Sequence, residues 1–92
     1  MGELLNLPNI GVEVERQLNQ VGILSFEDLK KYGSKQTWLK IKAIDASACI
    51  HRLYALEGAL QNTRKKDLSA ECKEDLKDFY NQFKGKIKSK TR

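Results

Sequence analysis

Apolar residues along this chain recur mostly at the spacing of an amphipathic helix. Val14, Leu18 and Val21 follow the i, i+4, i+7 pattern, so a helix is predicted from about Val12 to Gln20, closed by Gly22 as its C-terminal cap. Leu4, Leu5 and Leu7 belong to a shorter helix, about Gly2 to Asn6, which Pro8 ends by biasing Leu7 away from helical angles. Ser25 is a good N-cap, followed by Glu27 and Asp28 in a first turn and Lys30 and Lys31 in a last one. That predicts a helix over Phe26 to Tyr32, with Phe26, Leu29 and Tyr32 on its apolar face and Gly33 as its stop.

The next segment is ambiguous. Leu39 to Ala43 alternates like a strand, but no other segment could pair with it, so a helix from about Lys35 to Ile41 capped by Ser34 is expected. Asp45 or Ser47 then opens a helix from about Ala46 to Asn62 that is apolar on most of its circumference and belongs in the middle of the domain. Gly58 in its interior implies close approach of another helix. Ser69 caps a last helix, about Ala70 to Lys84, with Cys72, Leu76, Phe79, Tyr80 and Phe83 on one face and charged residues on the other. Leu76, Phe79, Tyr80 and Phe83 are interface candidates, because such a helix closes the core of its own chain or pairs with a second copy as a homodimer. The predicted fold is all-α, a single compact domain of five or six short helices over residues 1–83, with a basic, flexible tail over 84–92.

The turn Leu7-Pro8-Asn9-Ile10-Gly11 is the most informative stretch. Gly11 is expected to take unusual backbone angles that let a new helix start within a few residues. A turn of that kind leaves N–H groups at the start of the second helix pointing outward, the geometry that receives a phosphate or carboxylate, so Asn9, Ile10 and Gly11 are hairpin candidates. Against a phosphate, Glu13 and Glu15 stand in the first turn of that helix, where they satisfy its dipole and repel anions.

Charge is segregated. The formal net charge of +5 equals the contribution of Lys84, Lys86, Lys88, Lys90 and Arg92, so residues 1–83 are neutral overall. Within them, residues 1–29 sum to −4, residues 30–66 to +7 and residues 67–83 to −3. The middle block makes Lys30, Lys31, Lys35, Lys40, Lys42, Arg64, Lys65 and Lys66 candidates for nucleic-acid contact together with the five tail residues. Convergence of those lysines on one face is what such a surface would need.

Several classes are set aside. No stretch approaches the roughly 20 apolar residues of a membrane span, and the N-terminus lacks a basic region before an apolar run, so a cytoplasmic location is expected. Cys49 and Cys72 are expected to be buried small apolar residues, and with His51 they are too few for a structural zinc site. There is no phosphate-binding loop, no dinucleotide-binding glycine pattern and no nucleophile motif near His51, so no catalytic, cofactor or metal residue is assigned. Trp38, flanked by Leu39 and Ile41, reads as core rather than as a base-stacking platform.

Four blocks in order, LPNIGVEVERQLNQVGILSFEDLKKYG, WLKIKA, SACIHRLYALEGAL and LSAECKEDLKDFY, resemble the C-terminal domain of the TfoX/Sxy proteins, bacterial regulators of DNA-uptake competence. The resemblance implies an all-α fold beginning with a helix-hairpin-helix-like unit and a regulatory role without catalysis, here as a free-standing copy of that domain. The expected function is therefore a protein-interaction module in transcriptional control with a protein partner. The alternative is a sequence-nonspecific DNA- or RNA-binding domain that uses the hairpin, the basic middle block and the tail.

Overall fold

The computed structural model describes the backbone of residues 4–91 and the side chains of residues 4–83. Among these residues the chain forms four α-helices and two 3-10 turns and no strand: a turn at Leu4–Asn6, α1 (Val12–Gln20), α2 (Phe26–Ile44), α3 (Ile50–Gln61), a turn at Lys65–Asp67, and α4 (Ala70–Thr91).

Of the first predicted helix, the described part Leu4–Asn6 is a 3-10 turn. Leu7 N–H bonds the Leu4 carbonyl at 3.0 Å, and Pro8 prevents the turn from propagating. The end of α1 is a Schellman motif: Gly22 sits at φ 90°, Gly22 N–H bonds Asn19 O at 3.1 Å, and Ile23 N–H bonds Leu18 O at 2.8 Å. That geometry turns Ile23 into the core, where it is fully buried. Ser25 caps α2 as its residue type predicts, its hydroxyl accepting from Asp28 N–H at 3.2 Å while the Asp28 carboxylate accepts from Leu24 N–H at 3.1 Å.

The two helices expected on either side of Gly33 run as one broken helix. Gly33 has φ 80° and ψ 168°, a non-helical conformation inside α2. Ser34 does not cap the second half; it is buried and its hydroxyl donates to Glu57 at 2.6 Å.

α3 begins at Ile50, four residues later than expected from Ala46. Asp45 explains the delay: its carboxylate accepts from Ser47 N–H at 3.0 Å and from the Ser47 hydroxyl at 2.6 Å, and its carbonyl accepts from Ala48 N–H at 3.0 Å. A side-chain turn of this kind competes with helix initiation. Cys49, expected in the core, is consequently the exposed N-cap residue of α3. The end of α3 repeats the α1 motif with Asn62 at φ 58° in the left-handed position and Thr63 N–H on Gly58 O at 2.9 Å.

α4 is 22 residues long and carries the helical backbone past the boundary expected near Lys84, as far as Thr91. Side chains beyond Phe83 lie outside the described residues.

α3 packs against α2, α4 and the second 3-10 turn, which makes it the central helix the sequence predicts, and α1 lies against α2 and the first turn. The core gathers Leu4, Leu18, Ile23, Leu29, Trp38, Ile41, Leu53, Leu56 and Leu76 from every α-helix and the first turn, all essentially inaccessible. Each such aliphatic side chain contributes about 1.5–3 kcal/mol by leaving water.

Candidate functional site: the hairpin turn and the surfaces around it

The Leu7–Gly11 turn is tied to the junction of α3 with the second 3-10 turn by one side chain. Asn9, at φ 69°, adopts the left-handed conformation that Gly11 was expected to supply; Gly11 is ordinary extended backbone at φ −99°, ψ −175°. Asn tolerates that region better than other residues with a β-carbon. The Asn9 amide nitrogen donates to Thr63 O at 3.0 Å and Ala55 O at 3.4 Å, and its oxygen accepts from Lys65 N–H at 3.1 Å. One side chain thus answers two carbonyls and one N–H at the junction of α3 with the second 3-10 turn.

Gly58 makes this possible. A β-carbon there would lie 2.8 Å from Thr63 O and 3.3 Å from Lys65 N, and closer still to the Asn9 amide nitrogen. The close approach that Gly58 signals is therefore a turn and an amide rather than another helix. Of the other hairpin candidates, Ile10 is buried and Gly11 is exposed. Gly11 gives α1 no side-chain cap, and Glu13 and Glu15 occupy its first turn, with Glu13 in an ion pair with Arg16.

Four of the basic candidates on α2 engage their own chain, each with different partners. Lys30 lies over the Phe26 ring at 5.6 Å. Lys35 pairs with Asp75 at 2.8 Å and covers the Phe79 ring, both on α4. Lys40 lies over Tyr32 at 4.7 Å. Lys42 donates to the carbonyls of Ala46 and Ala48 and covers the Trp38 ring at 6.0 Å, which stitches the α2–α3 connection. Lys31 is exposed, as are Arg64, Lys65 and Lys66 at the second 3-10 turn, which packs against α3. Tail residues Lys84, Lys86, Lys88, Lys90 and Arg92 have side chains outside the described residues.

The α4 stripe packs within its own chain. Leu76 is buried, and Phe79, Tyr80 and Phe83 surround Trp38 edge-on with ring centroids at 6.2, 5.6 and 5.3 Å. The Trp38 indole N–H donates to Cys49 O at 3.1 Å, so the buried ring has its one polar group paired. Beside it, Leu39, Phe79, Gln82 and Phe83 line a shallow groove of about 140 Å³.

Two polar constellations escape sequence reading. The first joins α1, the α2–α3 connection and α3: buried Gln17 donates to Asp45 at 2.6 Å and accepts from Arg52. Hydrogen bonds from Ser47 and Gln17 hold the Asp45 carboxyl at about 2. In the second, Ser34, Glu57 and Cys72 line a cleft of about 450 Å³ at the Gly33 break; Ser34 and Gln61 each donate to Glu57 at 2.6 Å, and Gln61 reaches the Cys72 sulfur at 3.4 Å. Burial pushes the Cys72 thiol above its ordinary value, away from the nucleophilic thiolate. Neither constellation contains a histidine base, and His51 is exposed with its ring 6.3 Å from Tyr54. No group of three or more His, Cys, Asp or Glu able to hold a metal occurs among the described residues.

The TfoX C-terminal domain family matches residues 1–80 of the chain. The chain belongs to this family. Two solved structures are similar to it across nearly all of this TfoX C-terminal domain. An uncharacterized protein from Listeria monocytogenes, crystallised in a triclinic form, is 43% identical with a TM-score of 0.86, the match covering 89% of this chain and 93% of that one. A protein of unknown function from the same organism, in a tetragonal form, is 42% identical with a TM-score of 0.84, covering 87% and 98%. No protein of curated function matches the chain. The blocks that carry the family likeness meet in space: LPNIG supplies Asn9, SACIHRLYALEGAL supplies Gly58, WLKIKA supplies Trp38, and LSAECKEDLKDFY supplies the rings against it.

Proposed function

We propose that this TfoX C-terminal domain is a non-enzymatic regulatory module of the cytoplasm that acts in transcriptional control by binding a protein partner. The reading is carried by the first third of the chain, where large apolar side chains stand in water among acidic ones. Val12 is 74% and Leu24 63% exposed, Leu5 is exposed as well, and the surrounding residues 1–29 sum to −4. Apolar anchors with an acidic rim suit a partner that presents apolar and basic groups. In this reading the helix-hairpin-helix-like start is a docking unit whose inward side, through Asn9, is committed to the fold.

The nucleic-acid reading draws on the exposed run Arg64-Lys65-Lys66 and on the tail. It is the weaker one, because the acidic first turn of α1 repels a phosphate and the α2 lysines hold groups of their own chain.

The test is affinity capture from bacterial extract with the wild-type chain and a Val12→Glu, Leu24→Glu double variant. Both positions are exposed, so the variant keeps its helical circular-dichroism spectrum and thermal midpoint. A protein retained by the wild type and lost from the variant bears out the reading. Identical eluates from the two, or none from either, contradict it.

A further inference from the structure

Where Gly33 breaks α2, a cleft of about 450 Å³ opens between that helix, α3 and α4. Small-molecule sites span about 300–1,000 Å³, so this one is large enough to hold a ligand. Tyr32, Leu60 and Leu76 give its wall apolar surface, and Lys35, Glu57 and Asp75 bring charge. Lys35 is committed to the fold, because its ammonium pairs with Asp75 at 2.8 Å and lies over the Phe79 ring. Those two charges offset each other, which leaves Glu57 as the uncompensated charge of the cleft wall.

Glu57 is half-buried on α3 and has no ion-pair partner among the described residues. Each of its carboxylate oxygens accepts one hydrogen bond at 2.6 Å, one from the buried Ser34 hydroxyl and the other from the Gln61 amide. Both donors are neutral. They fix the position of the carboxylate without cancelling its charge, and of its roughly four acceptor sites about two stay open.

We propose that this cleft binds an alkylammonium group, a primary ammonium on an aliphatic stem, with Glu57 as its counter-ion and Tyr32, Leu60 and Leu76 against the stem. A carboxylate partly withdrawn from water gains from an opposite charge more than an exposed one does. The compact ammonium needs a single open lone pair. A planar guanidinium pairs best with both oxygens of a carboxylate at once, and Ser34 and Gln61 already use one site on each. An anion would meet Glu57 and Asp75 with Lys35 already engaged. The group reaches the cleft either on a free aliphatic amine or on a lysine side chain of a bound protein. Val12 and Leu24 take no part in lining the cleft, so this site stands or falls separately from the partner surface assigned to them.

Titration of the isotopically labelled full chain with butylamine at neutral pH in low salt, followed by amide chemical shifts, tests it. The expected result is saturable shifts at Gly33, Gln36, Glu57 and Leu76, with an affinity that falls about threefold or more when salt screens the pair. Two variants separate binding from folding. Glu57→Gln removes the charge and keeps an acceptor for Ser34. Gln36→Lys leaves Glu57 and its hydrogen bonds in place and brings a competing ammonium to an exposed position that lines the cleft. Each is expected to weaken butylamine about tenfold while keeping its helical circular-dichroism spectrum. A second titration, with lysine blocked at both backbone ends, distinguishes the sources. Tighter binding than butylamine assigns the group to a protein's lysine, weaker binding assigns it to a free amine, and either bears out the site. Shifts that do not saturate with either probe, or that fall outside the cleft, overturn the proposal. So does butylamine binding that either folded variant leaves unchanged.

Discussion

The side-chain amide of Asn9 occupies the space that a β-carbon on Gly58 would need, and from there it holds the carbonyls of Ala55 and Thr63 and the N–H of Lys65. A residue of the first turn and a residue in the middle of α3 thus form one packing unit across 49 positions of sequence. The turn that carries Asn9 is anchored to the body of the domain at this point.

Removing that amide should destabilise the fold. Asn9→Ala leaves Thr63 O and Lys65 N–H without their partner and places Ala in a left-handed conformation, so a loss of roughly 2–4 kcal/mol is expected in urea unfolding. Gly58→Ala would gain about 1 kcal/mol from helix propensity but must push Asn9 and the Thr63 carbonyl aside, and the net effect is a loss of about 1–3 kcal/mol. The two losses should sum to more than the loss in the double variant, since once the amide is gone the new methyl has one fewer neighbour to displace.

Gly33 is the converse case. A β-carbon there would meet nothing within 4 Å, yet φ 80° with ψ 168° is a conformation that essentially only glycine adopts. Gly33→Ala should therefore cost about 1–3 kcal/mol from backbone strain alone. Thermal melts of Gly33→Ala and Gly58→Ala separate the mechanisms: removing the Asn9 amide relieves the second variant and leaves the first unchanged.

Asp45 makes stability depend on pH in acid. Its folded-state pKa of about 2 lies below the ordinary 3.8, so the folded state binds this proton less readily than the unfolded state does. The stability it contributes is complete above about pH 4 and is lost as pH falls through about 2. Wild type should therefore lose thermal midpoint more steeply than Asp45→Asn across that window, and the two slopes should run parallel above it. Equal slopes inside the window would show that Asp45 is not held by Gln17 and Ser47.

Trp38 is the hub of the α2–α4 contact. Trp38→Ala empties the space against Phe79, Tyr80 and Phe83, and a loss of about 3–5 kcal/mol is expected by urea denaturation. In the wild type the same single tryptophan reports the transition, with emission shifting to the red on unfolding.

What was legible in the sequence was what neighbouring residues decide. Gly22 and Ser25 mark the end of α1 and the start of α2 because both motifs close within a few residues. The Gly33 break, the central place of α3 and the core role of Trp38 follow from local pattern as well. Asp45 misleads because a good helix N-cap is also a good turn former, and here the turn with Ser47 wins and moves α3 to Ile50, which puts Cys49 in solvent. The contacts of Asn9, those of Gln17 and the Ser34–Glu57 pair were beyond reach because the partners lie 46 to 56, 28 to 35 and 23 positions away, respectively, and no spacing rule spans such distances.

In the proposed function the folded body is a protein-binding surface, and the Leu7–Gly11 turn and the α2 lysines belong to the fold. Fluorescence anisotropy of a short labelled DNA duplex, titrated in low salt with the full chain, tests it most directly beside a variant with Lys84, Lys86, Lys88, Lys90 and Arg92 changed to Gln. Any affinity of the wild type should fall on the order of several hundredfold between about 50 and 200 mM salt if all five tail charges displace counterions. That affinity should vanish in the tail variant. Binding that survives the five substitutions and is lost on changing Arg64, Lys65 and Lys66 to Gln would place a phosphate surface on the body and contradict the account.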